Sequence, residues 1–142
     1  MRCPMRDSIP VRYNNAPPMV DDYCQLRLLA GMSPKAKETA EASLPNTVFG
    51  VSGYQCGELV AMGRIIGDSG CHLQLCDIAV HPRLQRQGMG KEVMRRLNHW
   101  MEHNLLPTAE VSLLARGSSH LLYAQYGFAP TAPASISMCR RR

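Results

Sequence analysis

The sequence predicts a mixed α/β domain, one central and mostly antiparallel sheet flanked by helices. Three observations predict it. Two helical patterns precede three consecutive strand-like runs, Thr47–Ser52, Glu58–Ile66 and His72–Val80. Short glycine-containing turns at Gly53–Gly57 and Gly67–Gly70 separate those runs, which is the pattern of an antiparallel meander. A long amphipathic helix then alternates with two more strand patterns, giving the order αα–βββ–α–β–α–β around one sheet.

Each element has its own local signal. The first 18 residues carry Pro4, Pro10, Pro17 and Pro18 and read as an extended lead-in with one short strand at Ile9–Tyr13. From Met19 to Ala30 the apolar positions Val20, Tyr23, Cys24, Leu26, Leu28 and Leu29 predict a helix, stopped by Gly31. Ser33-Pro34 reads as N-cap and first-turn proline of a second helix that ends near Ser43, before Pro45-Asn46. Gly88 to His103 has helical spacing, with Val93, Met94, Leu97, Trp100 and Met101 on one side and charges on the other. Glu110–Ala115 is predicted as a strand, Ser118–Tyr126 as a short helix stopped by Gly127, and Ser135–Cys139 as a final strand.

Composition bounds the function classes. With 142 residues, 45% hydrophobic and 19% charged, the chain suits one domain, residues 1–142, with a core of its own. No apolar run approaches the roughly 20 residues that span a bilayer, and the N-terminus lacks a signal-like apolar stretch. The expectation is a soluble, cytoplasmic protein. The net charge of +5, with a basic tail at Arg140-Arg141-Arg142, favours an anionic partner. Aromatic residues make up only 6% and do not interleave with the basic ones, so neither nucleic acid nor a membrane is expected as that partner. The six cysteines include no C-x-x-C pair. Free thiols are the expectation, with Cys76 packed in the core.

The most informative segment runs from Asp77 to Lys91. A strand is followed by His81-Pro82 and then by a glycine-bearing loop that opens the long helix. A helix N-terminus offers unpaired N–H groups and the positive end of the helix dipole, a ready site for phosphate. Gly88 and Gly90 permit close backbone approach, and Arg83, Arg86 and Lys91 add positive charge. The loop is not a P-loop, because Gln85 and Glu92 replace its first glycine and its Ser/Thr. It is not a Rossmann fingerprint either, because Val93 stands at the third glycine.

The run Gln85-Arg-Gln-Gly-Met-Gly90 resembles the (Q/R)-x-x-G-x-(G/A) loop of the GNAT family of N-acetyltransferases. Forty residues on, Leu122-Tyr123-Ala-Gln-Tyr-Gly127-Phe128 is similar to the family's L-Y-x-x-x-G-F segment. The likeness spans about Val20 to Met138. It implies the GNAT fold, with strands four and five splayed around acetyl-CoA. It further implies that Ile78, Ala79 and Val80 pair with the pantetheine arm through their backbone. The loop Gln85, Arg86, Gln87, Gly88, Met89, Gly90 and Lys91 would hold the pyrophosphate. A homodimer is the assembly the resemblance suggests.

Acetyl transfer to an amine needs a neutral nitrogen, yet an alkylamine of pKa about 10 is mostly protonated at neutral pH. A base or a water must take its proton, and a positioned acid can protonate the departing thiolate. By resemblance Tyr123 is that acid, with Tyr126 at an ordinary packing position. Asp77 is the candidate base; alternatively it is paired with an arginine or a backbone donor, since an unpaired buried carboxylate is costly. Gln74 stands where some relatives carry a glutamate, and an amide cannot accept the proton. His72, His81 and His120 are further candidates.

His99-Trp-Met-Glu102-His103 also satisfies H-x-x-E-H, an inverted zinc-protease pattern. That pattern takes a carboxylate well downstream, and Glu110 is the only acid after His103 and too close. No metal is therefore expected in the chemistry. The acceptor should be met by Leu26–Met32, Gly67–Gly70 and Thr131–Ile136, with Met32, Met62 and Met138 as candidate lining. With 11 acids in the chain, a compact amine is favoured over a polycation. The alternatives are a protein N-terminus or lysine as acceptor, and a non-catalytic acyl-CoA-binding module.

Overall fold

A computed structural model describes residues 8–142. The chain divides into two compact units, one ending at Ser112 and the other running from Leu113 to Arg142. In the first unit, strands β1 (Arg12–Asn14), β2 (Phe49–Gln55), β3 (Glu58–Gly67), β4 (His72–Val80) and β5 (Glu110–Ser112) form one sheet in sequential order. The first four are antiparallel and β5 runs parallel to β4. Helices α1 (Val20–Leu29), α2 (Lys37–Ser43) and α3 (Met89–Asn104) complete this unit, and α4 (His120–Ala124) belongs to the second. Among the described residues no helix is long and apolar enough to cross a membrane.

The meander is the predicted one, because the apolar runs are joined by turns too short for anything but hairpins. Strand β4 has the predicted bounds, His72–Val80. Strand β2 extends to Gln55, past Gly53, whose missing side chain admits the ring of Tyr13 on the neighbouring strand. Helix α3 keeps its predicted face, with Val93, Met94, Leu97 and Met101 buried. Its opposite face is laced by Glu92, which accepts from Arg95 and Arg96 at 2.7–2.9 Å.

Three predictions need correction. Helix α2 starts at Lys37 rather than at Ser33-Pro34. Ser33 is drawn away from capping, since its carbonyl and hydroxyl both accept from Arg27, at 2.9 and 3.0 Å. The predicted strand Ser135–Cys139 does not form; Ile136 and Met138 are exposed and join no ladder. Cys56 is disulfide-bonded, whereas Cys24, Cys71, Cys76 and Cys139 are free thiols. Cys3 and Pro4 lie outside the described residues.

The sheet is packed on both faces. On one, Tyr23, Leu26, Ala40 and Leu44 from the α1–α2 side cover Leu59, Met62 and Ala79. On the other, α3 lies against β2, β3 and β4. Gly63 sets how closely α3 approaches. A Cβ there would fall 2.7 Å from both Ile78 Cδ1 and Val93 Cγ1 and 3.0 Å from Leu97 Cδ1. Gly63→Ala is expected to destabilise the fold by about 1–3 kcal/mol, the usual cost of overpacking, as read from urea denaturation. A neutral result would show that α3 floats on the sheet.

Candidate acyl-CoA site

Strand β4 loses one neighbour partway along and is bent against the other. Its pairing with β5 covers only His72–Gln74 against Glu110–Ser112. From Leu75 to Val80 the edge toward β5 has no strand partner among the described residues. On the β3 side the register slips by one. Met62 pairs with Ala79 but Arg64 pairs with Cys76, so Asp77 and Ile78 together oppose Gly63. This is a β-bulge, and Asp77 takes the left-handed φ of 57° within it. Ile78, Ala79 and Val80 therefore follow a bend, on a strand with one free row of backbone donors and acceptors.

A buried ion cluster holds the bulge. Arg27 Nη1 donates to Asp77 Oδ1 at 2.6 Å, and Arg64 Nε donates to Asp77 Oδ2 at 2.9 Å. The Tyr23 hydroxyl donates to Oδ2 at 2.9 Å. Arg64 also donates to Thr47 Oγ1 and Ser43 Oγ, at 2.7 and 3.1 Å. The side chains of Arg27, Arg64 and Asp77 are only 5%, 3% and 9% exposed. Two guanidinium groups against one carboxylate leave a surplus positive charge, and the Tyr23 ring offsets part of it. Both guanidinium carbons sit over that ring, 5.7 and 5.5 Å from its centroid. Burial, and then the Asp77 charge, push the Tyr23 hydroxyl up to about 12, so it stays a donor. The same causes push the Cys76 thiol up to about 12, which makes it a packing group and not a nucleophile.

Of the two roles anticipated for Asp77, this geometry favours the paired one, since each carboxylate oxygen already accepts from a guanidinium. Arg27, Arg64 and Tyr23 were missed in the sequence. The signal was there: Arg64 stands alone between Met62 and Ile65 in an apolar strand. A buried arginine requires a carboxylate.

The loop beyond β4 is anchored backward onto the β2–β3 hairpin. His81 N–H donates to the Val60 carbonyl at 2.7 Å, and His81 Nδ1 accepts from Arg83 N–H at 3.2 Å. Arg83 Nη1 donates to Gln55 Oε1 at 2.7 Å, while His81 Nε2 lies 3.2 Å from Glu58. Arg83 thus braces the loop as well as adding charge to it. Gln85 and Gln87 return hydrogen bonds to the Val80 and Arg83 carbonyls, at 3.2 and 3.4 Å. Arg86 and Gly88 both have left-handed backbones, with φ of 65° and 87°. Gly88 is the N-cap of α3 and offers no side-chain cap; the first helical bond runs from Glu92 N–H to its carbonyl at 3.0 Å. The N–H groups of Met89 and Gly90 therefore have no carbonyl within the helix to meet. This is the backbone arrangement that receives a phosphate.

Met62 is fully buried beneath α1, Met32 packs partly against the same core, and Met138 is exposed in the second unit. Tyr123 is buried on α4, its ring edge-on to Phe128 with centroids 6.5 Å apart. Burial raises its hydroxyl above the ordinary 10.0, so the phenol keeps its proton at neutral pH. Among the described residues no group of three or more His, Cys, Asp or Glu side chains is placed to hold a metal.

Asp77→Asn would strip both arginines of their counter-ion. It is expected to cost about 3–5 kcal/mol in urea denaturation, the range for breaking a buried ion pair. Tyr23→Phe, which removes one hydrogen bond, should cost about 1–3 kcal/mol. Equal, small effects from both would show that the cluster does not hold the bulge.

Residues 46–130 match the model of the acetyltransferase (GNAT) domain. No curated protein matches the chain. Among solved structures, a probable acetyltransferase from meticillin-resistant Staphylococcus aureus is 39% identical, with a TM-score of 0.89 over 94% of this chain and 100% of that one. A GNAT-family protein from Streptococcus pneumoniae shares the fold at 18% identity, with a TM-score of 0.72 over 94% and 98% of the two chains. The ribosomal-protein-S18-alanine N-acetyltransferase of Escherichia coli shares it at 21% identity, with a TM-score of 0.64 over 83% and 75%. The domain match covers more than half of the chain, and the chain belongs to the GNAT family of N-acetyltransferases.

Proposed function

We propose that the chain transfers an acetyl group from acetyl-CoA to the primary amine of a small molecule, by direct attack through a tetrahedral intermediate. The observation that carries this reading is the pairing of a free β4 edge at Ile78–Val80 with the uncapped α3 N-terminus. The two features suit the two ends of one ligand. An amide-bearing pantetheine arm can add to the strand edge as a further strand would. The pyrophosphate meets the N–H groups at Met89 and Gly90, within the loop Gln85–Lys91.

The chain's own groups divide the remaining work. Tyr123, held protonated by burial, donates to the departing thiolate. Asp77 acts as the clamp of the bulge, and the acceptor nitrogen releases its proton to water. The acceptor is met by the α1–α2 side. A compact, largely apolar amine fits a chain whose net charge is +5 and which has few acids to gather round a polycation.

Acetyl-CoA should raise the melting temperature, since a ligand that binds only the native state stabilises it by about 2.7 kcal/mol at a hundredfold excess over Kd. ATP and dephospho-CoA serve as controls. Thiol release over a panel of primary amines should then reveal turnover. Tyr123→Phe should lower kcat by about 100-fold or more while acetyl-CoA binding is retained. The wild-type proton donor should persist to pH 10 and above, because the phenol's pKa is raised from 10.0. No thermal shift would overturn the reading. A shift without turnover on any amine would make the chain an acyl-CoA-binding module.

A further inference from the structure

The exposed end of α3 carries a cluster that acetyl transfer does not use. His99 and His103 are both exposed, one helical turn apart, with ring centroids 4.2 Å from each other and planes tilted by 36°. They border a groove of about 320 Å³ with Trp100, Asn104, Arg95 and Arg96. His103 Nδ1 lies 2.8 Å from the His99 carbonyl. A carbonyl can only accept, so that nitrogen carries the proton and Nε2 keeps its lone pair. Metal-bound histidines are held in this way, the ring nitrogen away from the metal donating to a carbonyl or carboxylate.

The geometry points to a surface chelate for a late first-row divalent cation, Cu²⁺, Ni²⁺ or Zn²⁺, bridged by the His99 and His103 imidazoles. An ion about 2.0–2.1 Å from each nitrogen needs donors roughly 3.3 Å apart, which neighbouring rings on exposed, rotatable side chains can supply. Two imidazoles with water in the remaining positions select these ions over Mg²⁺ or Ca²⁺, with copper held tightest. The site lies in the last turns of α3, where the negative end of the helix dipole favours a cation. The nearby guanidinium groups oppose it less than their number suggests, because Arg95 forks onto Glu92 at 2.7–2.8 Å and Arg96 donates to the same carboxylate at 2.9 Å. Glu102 is engaged by Asn98 at 3.1 Å, and the described residues supply no third ligand. The ion therefore ties two turns of helix together and does not create a hydrolytic centre. This site stands independently of the acetyl-transfer reading.

Titration calorimetry on the full chain with CuCl₂, NiCl₂, ZnCl₂ and MgCl₂ tests it. Three variants accompany the wild type: His99→Gln, His103→Gln, and Cys71→Ser combined with Cys139→Ser to remove two exposed thiols. Thermal unfolding confirms that each variant is folded, as expected for exposed positions. The expected result is one equivalent of copper or nickel on the wild type and on the cysteine variant, and none of magnesium. Either histidine variant should bind at least about tenfold more weakly. Absence of copper and nickel binding by the wild type, or histidine variants that lose less than tenfold, overturns the site.

Discussion

The buried carboxylate of Asp77 is the constraint on which the first unit depends. It joins three elements at one point: Tyr23 and Arg27 from α1, Arg64 from β3, and the bulge of β4 that carries it. Arg64 extends the cluster to Ser43 at the end of α2 and to Thr47 before β2. An aspartate at φ 57° in mid-strand is a costly conformation, tolerated because the two guanidinium groups determine where its carboxylate must be. The bulge then bends β4 at the point where β5 no longer pairs with it. Arginine recruits not only the acid but also the connecting segment, since Ser33 leaves its predicted capping role to satisfy Arg27.

The bend on β4 and the loop after it are separate solutions to one problem, that of leaving backbone groups unpaired without unfolding the strand. The strand edge is kept in place from the β3 side, through pairs such as Met62–Ala79 and Ala61–Val80. The loop is kept in place from the hairpin, through His81 and Arg83 on Val60, Gln55 and Glu58. Gln85 alone among these loop contacts reaches the edge itself, donating to the Val80 carbonyl at 3.2 Å. Gly63 contributes from beneath by letting α3 sit close to the bulge, so the helix that offers its N-terminus is packed against the strand that offers its edge.

Much of this was legible in the sequence, for identifiable reasons. Strand β4 and helix α3 were placed within a residue or so, because their apolar periods are clear and Gly88 marks the boundary. The glycine loop announced an anion site through residue type and position alone. The Asp77 cluster was legible only in part: an arginine partner for Asp77 was one of two readings and Arg64 stood alone in an apolar strand, but the members lie 13 to 54 residues apart and a bulge breaks the alternation from which side-chain direction is read. The C-terminal run Ser135–Cys139 alternates like a strand yet joins no ladder, since alternation states a preference and a strand also needs a neighbour. The start of α2 failed for the reason Ser33 shows: a good capping residue was claimed by a buried arginine.

In the proposed function, the unpaired β4 edge and the uncapped α3 start act together as one acyl-CoA site. Amide hydrogen exchange, measured with and without acetyl-CoA, separates this from two independent features. Binding is expected to slow exchange in two segments, Ile78–Val80 and Arg86–Lys91, and in both together. Acetyl-CoA bound at saturation with exchange unchanged in either segment would contradict it.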